Sequence, residues 1–275
     1  LPVPRMSGEM KTTPTTHAVR ARNAAGIQPD IIIARSTVPL DEPRKRRLML
    51  NCNIFSERDI ISAPDVRFIY EIPINFEKDQ LGKRILEKFK MKPRKQDLRE
   101  WRTLVNKIKR LRQPVKIGIV GKYFGTGSFT LSDSYLSVIE AVKHASWRLG
   151  RTPEISWLIA EKYEQQRKAL KELKEYDGII VPGGFGARGV EGKIKAIEFC
   201  RKNKIPYFGL CYGMQLAVIE FARNVCGLKG AHTTEINLRT IHPVIHTLPE
   251  QVVNIREKKM GGSMRLGAYV CQLKP

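Results

Sequence analysis

The sequence predicts an α/β protein of two domains, the second folded around a doubly wound parallel sheet. Three observations carry that prediction. Short apolar runs of strand length alternate with segments of helix length, a basic stretch interrupts the alternation, and in the second half two Gly-containing turns each follow an apolar run. The 275 residues suffice for one large or two ordinary domains, and a hydrophobic content of 42% supplies packed cores and argues against a disordered chain.

Residues 1–77 read as an α/β domain already in progress, because apolar runs such as Asp30-Ile31-Ile32-Ile33-Ala34 and Val66-Arg67-Phe68-Ile69-Tyr70 are spaced by polar segments able to form helices. Residues 78–113 read as a basic interdomain linker, with 14 Lys or Arg against four acids between Lys78 and Arg112. Within it Leu98, Trp101, Val105, Ile108 and Leu111 recur at helical spacing, which predicts an amphipathic helix ended by Gln113-Pro114. Residues 114–275 form the second domain. Val115–Val120 is a buried-type strand, and Ser132–Leu149 is a helix with Ser132 as its N-cap. Ile155–Ile159, Gly178–Val181 and Ile205–Leu210 are further strands, with helices at Glu164–Leu173 and Met214–Ala222. Strands alternating with helices predict a parallel sheet with chemistry in the loops at the strand C-termini.

Composition narrows the classes. No stretch approaches the roughly 18 apolar residues of a membrane span, and the start lacks a signal-peptide apolar region, so a cytoplasmic protein is expected. The chain starts at Leu1 and stops at Pro275 just after a strand-like run, so both ends read as cut. Five cysteines, Cys52, Cys200, Cys211, Cys226 and Cys271, lack the pairing of a disulfide framework or a zinc site, which predicts reduced thiols and no metal ligands. The net charge of +22 attracts phosphates in general. Its plainest account is a solvated surface; the alternative is a polyanion-binding or scaffolding protein, betrayed by steep salt dependence of duplex binding.

The sharpest signal is Gly209-Leu210-Cys211-Tyr212-Gly213-Met214-Gln215, where a strand turns abruptly into a helix. Small residues two before and two after the cysteine let a strained turn close and present the side chain above the sheet, as in a nucleophile elbow. A helix N-terminus stabilises a thiolate and offers N–H groups to an oxyanion. An isolated cysteine beside a Gly-rich turn would read as structural; the strand–GxCxG–helix context reverses that. Upstream, Val181-Pro182-Gly183-Gly184-Phe185-Gly186 also follows a strand, and its consecutive glycines suit an oxyanion hole.

The run from Pro182 to Gly192 followed by that from Ile205 to Gln215 resembles the amidotransferase domain of the CTP synthase family. The resemblance continues through Val120–Tyr123, Ser137–Ala141, Thr234-Glu235 and Gly261–Gly267. In the first domain it runs through Gly8–Thr12, Gly26–Asp30, Cys52-Asn53 and Tyr70–Pro73. The chain is therefore expected to hold the C-terminal part of a P-loop-type synthetase domain followed by a doubly wound amidotransferase domain, both truncated.

The resemblance implies amination of UTP to CTP with ATP and Mg²⁺, using ammonia from L-glutamine, with GTP as activator, CTP as feedback inhibitor and a homotetramer as assembly; membrane and nucleic acid are not implied. It assigns Cys211 as nucleophile and Gly184, Tyr212, Gly213, Met214, Gln215 and Glu235 to glutamine, the carboxylate of Glu235 matching the α-ammonium. It assigns Lys11, Thr12, Thr13, Pro14, Thr15, Thr16 and Arg47 to UTP or CTP. Here Thr13, Thr16 and Arg47 depart from the family's Lys, Gln and Lys, and Arg47 keeps the charge with a different geometry. Pro64, Asp65 and Val66 fall on the adenine side of ATP, and Arg256 is a candidate GTP contact. The family's P-loop, Mg²⁺ ligands and His-x-Glu base match no residue here, so the 275 residues alone are expected to be inactive. His242 aligns where the family has no catalytic histidine, and His17, His144, His232 and His246 are expected on the surface or in loops.

Overall fold

The periodicities of the sequence become α/β architecture in two units, Leu1–Arg110 and Leu111–Pro275. A computed structural model describes residues 1–6, 8–94, 97–121, 125–126, 129–130, 135–184, 186–248, 251–253 and 257.

In the first unit α1 (Thr13–Ala24) begins with Pro14 in its first turn, where the absent N–H costs nothing. Strand β1 (Ile32–Ser36) buries alternate residues, and α2 (Glu42–Asn51) is capped by Asp41, whose carboxylate accepts the Arg44 N–H at 3.0 Å. Strand β2 (Ile60–Pro64) pairs with β1 in parallel, Ile32 facing Ile60 and Ser36 facing Pro64. The core gathers Met10, Val19, Ile32, Ala34, Leu48, Cys52 and Ile60.

The apolar run at Val66–Tyr70 is not the second strand. Ile60 and Ile61 are adjacent and both buried, so β2 is covered on both faces where it begins, while Asp65, Arg67 and Ile69 are exposed. A 3₁₀ turn at Ile69–Glu71 leads into α3 (Ile72–Lys78), and α4 (Leu81–Lys88) follows. The amphipathic helix of the basic stretch is α5 (Arg99–Arg110), burying Val105 and Ile108. The Trp101 Nε1 donates to the Tyr70 carbonyl at 2.7 Å and Lys109 pairs with Glu71, which fastens α5 to the first unit.

The second unit begins with β3 (Pro114–Gly121), and a short antiparallel pair, β4 (Gly125–Thr126) and β5 (Phe129–Thr130), follows. Then come α6 (Leu136–Arg148), β6 (Thr152–Ile159), α7 (Ala160–Gln165), β7 (Gly178–Val181), α8 (Val190–Lys202), β8 (Tyr207–Gly209) and α9 (Tyr212–Asn224). The four long-range strands form one parallel sheet in the order β6-β3-β7-β8. Residues of β3 and β7 alternate between two cores. Val120, Ile179 and Val181 meet α7, α8 and α9, whereas Ile119 and Ile180 meet Val138 and Val142 of α6. Helices on both faces make the sheet doubly wound, and the direction of winding reverses between β3 and β7, where open α/β sheets bind ligands. A parallel pair, β9 (His232–Thr233) and β10 (Pro243–Ile245), completes the described elements.

Boundaries differ from the sequence reading in two informative places. The helix expected over Glu164–Leu173 is split, with Gln166 extended between α7 and a 3₁₀ segment at Arg167–Glu175. Leu170 and Leu173, both buried, are three apart, the spacing that a 3₁₀ turn stacks on one side. Helix α6 begins at Leu136, and Ser132 lies outside the described residues.

Candidate active site

Cys211 stands between β8 and α9 with φ 50° and ψ −103°, a conformation that a non-glycine residue holds only when its surroundings enforce it. The enforcement comes from its neighbours. A Cβ on Gly209 would lie 2.6 Å from the Gly213 carbonyl carbon and the Met214 nitrogen, and one on Gly213 would lie 2.0 Å from the Val181 oxygen. Only glycine lets β8, β7 and the first turn of α9 approach so closely. The Leu210 N–H donates to the Val181 carbonyl at 2.9 Å, and the Tyr207 hydroxyl donates to the Gly213 carbonyl at 2.7 Å, pinning the elbow from both sides. The thiol of Cys211 is exposed, whereas burial pushes that of Cys200 up to about 12, which keeps Cys200 an inert core residue.

The loop after β7 faces the elbow. A Cβ on Gly183 would sit 3.5 Å from the Cys211 Cβ and 3.9 Å from its Sγ, so the bare backbone of this loop lines the space over the sulfur. Further along, the Gly186 N–H donates to a carboxylate oxygen of Glu235 at 2.8 Å, and the Gly186 carbonyl accepts the Tyr212 hydroxyl at 3.3 Å. The structure thus joins Tyr212 and Glu235 through one loop residue. Gly213 is buried in the turn, Met214 is exposed and Gln215 half-buried on α9, and Gly184 lies in the loop; Phe185 lies outside the described residues. Gly183, Gly186 and Tyr207 carry contacts that the sequence reading did not assign. The glycines were visible in the motif, but no sequence signal points from Tyr207 to a carbonyl six residues on.

The histidines need one correction. His232 is not a surface or loop residue: it lies on β9, is 9% exposed, and its Nδ1 accepts the Thr233 N–H at 2.9 Å. Burial, and then the nearby Arg223, hold its imidazole below the ordinary histidine value against the opposite pull of Glu191. The pairing of its strand with β10 and the side chains of Glu191 and Arg223 beside it enclose the ring, and a lone histidine in a polar stretch does not reveal such neighbours. His17, His144 and His246 are exposed, and His242 is half-buried.

In the first unit the predicted nucleotide residues fall in two places. Lys11 hydrogen-bonds Glu9, and this contact, followed by the charges of Arg44 and Arg47, holds the Glu9 carboxyl below its ordinary value. Lys11 and Arg47, 36 residues apart, therefore act on one carboxylate. Arg44, which the sequence reading passed over, also donates to the Met10 carbonyl at 3.0 Å. Thr13 and Pro14 are exposed and Thr15 is half-buried. Thr12 and Thr16 are buried, and the Thr16 hydroxyl donates to the Thr12 carbonyl at 3.4 Å. Pro64, Asp65 and Val66 line a cavity of about 260 Å³ whose walls include Ile33, Ala63 and Phe76, and Asp65 pairs with Arg35 at 3.0 Å. Its apolar walls suit a flat heterocyclic base.

The cysteines Cys52, Cys200, Cys211 and Cys226 are free thiols, and Cys271 and Arg256 lie outside the described residues. Among the described residues no group of three or more His, Cys, Asp or Glu is placed to hold a metal ion, and no helix is long and apolar enough to cross a membrane.

Comparison with known proteins adds two families. The family described as "Glutamine amidotransferase class-I" matches residues 130–273, and that described as "CTP synthase N-terminus" matches residues 1–91. The CTP synthase of Thermococcus gammatolerans is 48% identical over 276 residues, covering 100% of this chain and 50% of that protein. The CTP synthase of Listeria innocua is 43% identical over 274 residues, with 100% and 50% covered. The chain thus spans about half the length of the curated relatives it matches. A solved structure, the glutaminase domain of Trypanosoma brucei CTPS with bound acivicin, is 40% identical with a TM-score of 0.46, covering 50% of this chain and 51% of that one.

Proposed function

The chain belongs to the class-I glutamine amidotransferase family, and from that premise we propose that the whole protein aminates UTP to CTP with ATP, using ammonia released from glutamine. The observation that carries the reading is the order of the two family matches: a CTP synthase N-terminal segment precedes the amidotransferase segment in one chain.

In the amidotransferase half the Cys211 sulfur attacks the side-chain amide carbon of glutamine. The new C–S bond and the loss of ammonia leave a glutamyl thioester, which water cleaves to glutamate and the free thiol. The elbow contributes placement, since a backbone held at φ 50° fixes the point above the sheet from which the side chain of Cys211 projects. The bare Gly183 backbone leaves room over the sulfur for the tetrahedral centre, and Glu235 receives the substrate ammonium. In the synthetase half the C4 oxygen of UTP takes the terminal phosphoryl of ATP, and ammonia displaces it as phosphate. Lys11 and Arg47, with Arg44 beside them, meet the triphosphate of UTP. The cavity at Pro64, Asp65 and Val66 takes the adenine of ATP. Mg²⁺ would neutralise the ATP phosphates. By the same resemblance we assign GTP as activator, CTP as feedback inhibitor, a homotetramer and a cytoplasmic site of action, which suits the free thiols.

The test is CTP formation by the full-length protein with either amine donor. Wild type is expected to use both glutamine and ammonia. Cys211→Ala is expected to lose at least about a thousandfold with glutamine and to keep synthesis from ammonia. Equal loss with both donors would make Cys211 structural, and no CTP from either donor would end the reading.

A further inference from the structure

Lys193 on α8 is fully buried (0% exposed), and the reaction above gives it no part. Taking an ammonium out of water is costly, and an aliphatic residue of the same length would fill the space without that cost. The lysine therefore needs a reason that depends on its charge. Its Nζ lies 5.7 Å from the centre of the Tyr212 ring, within the range at which a cation is held by the electron-rich face of an aromatic ring. Desolvation strengthens that attraction, because no water competes for the ammonium.

Tyr212 follows Cys211 directly and is itself buried. A ring fixed by a cation on its face leaves its hydroxyl fixed too, and this hydroxyl donates to the Gly186 carbonyl at 3.3 Å. The N–H of the same glycine donates to the Glu235 carboxylate at 2.8 Å. An unbroken series of contacts thus joins the buried ammonium to the ring beside the nucleophile, to the Gly-rich loop and to the carboxylate that receives the substrate ammonium.

We propose that Lys193 is a positioning residue for the glutamine half-reaction: through Tyr212 and Gly186 it aims Glu235 at the α-ammonium of glutamine. This rests on the amidotransferase reading above. A misaimed Glu235 weakens substrate binding more than thiol attack, so the effect falls on KM. Arginine preserves the cation on the ring face, whereas methionine preserves the stem and removes the charge.

The experiment is steady-state glutamine hydrolysis by the full-length protein with Lys193→Met and Lys193→Arg, beside wild type and Cys211→Ala. The expected result is a KM for glutamine raised about tenfold in Lys193→Met with a smaller change in kcat, and a KM near wild type in Lys193→Arg. Adding Lys193→Met to Tyr212→Leu is expected to change KM little further, because the ring that transmits the effect is gone. If Cys211→Ala still hydrolyses glutamine as wild type does, the amidotransferase reading falls and takes this proposal with it. If hydrolysis needs Cys211 but Lys193→Met keeps the wild-type KM, the proposal alone is overturned. It is likewise overturned if Lys193→Met lowers melting temperature and kcat with KM unmoved, if Lys193→Arg behaves as Lys193→Met, or if the Lys193 and Tyr212 effects add in full.

Discussion

Around Cys211 the candidate site is made of backbone: two glycines set the turn, a third leaves the space over the sulfur open, and a strained φ is held by strands on either side. Around Glu9 it is made of side chains, with Lys11 reaching in from the segment before α1 and Arg44 from α2. Backbone geometry admits no substitute because a Cβ meets immovable atoms, whereas long charged side chains adjust, and water screens what they exchange. The second unit should therefore be intolerant of single changes that the first absorbs. The departures from the family pattern fit that view, since Thr13, Thr16 and Arg47 all lie in the first unit.

The hardest test of this contrast is Gly213→Ala. Its new methyl would begin 2.0 Å from the carbonyl oxygen of Val181, the last residue of β7, so the elbow cannot close without moving the end of that strand. A loss of more than about 3 kcal/mol of stability is expected, read as a fall in the denaturant midpoint. A midpoint shift of under about 1 kcal/mol would show that the elbow is softer than its contacts imply.

Smaller effects are expected among the charges of the first unit. Arg47→Ala should raise the KM for UTP by about tenfold, and Thr13→Lys, which restores the residue of the family pattern at an exposed position, should lower it by about threefold. Both effects should shrink at high salt, and both variants should melt with wild type. Movement of KM in the same direction by the two variants would remove Thr13 and Arg47 from a common anion site.

The smallest expected change is Gly82→Ala, the same substitution as the first but placed in α4. Nothing lies within 4 Å of a Cβ there and the residue is exposed, so the methyl only restricts the unfolded chain. A gain of about 0.5–1 kcal/mol is expected in the same denaturation measurement. A loss there would mean that glycines are fixed in both units alike, and the contrast would dissolve.

Legibility followed the same division. The strand–GxCxG–helix run was readable because an elbow is local: the residues that must be small lie within two positions of the nucleophile. The amphipathic spacing from Leu98 to Leu111 likewise foretold α5, although the helix stops at Arg110, short of the Gln113-Pro114 expected to end it. What it packs against was not readable, since Trp101 finds the Tyr70 carbonyl 31 residues back. Val66–Tyr70 misled because its apolar content matches that of a strand, and only the burial of Ile60 and Ile61 shows which run the parallel pair required.

The sequence by itself determined the elements of the parallel sheet, the strained turn at Cys211 and the small residues around it, because periodicity and glycine placement act over a few residues and need no knowledge of the rest of the chain. Tertiary structure alone decided that Lys193 lies beneath Tyr212, that Gly186 binds Glu235, that His232 is buried, and that Arg44 joins Lys11 at the Glu9 carboxylate. Each of these joins residues whose neighbours in sequence do not specify the contact. Burial and charge are properties of the space around a side chain, and that space is filled by segments distant along the chain.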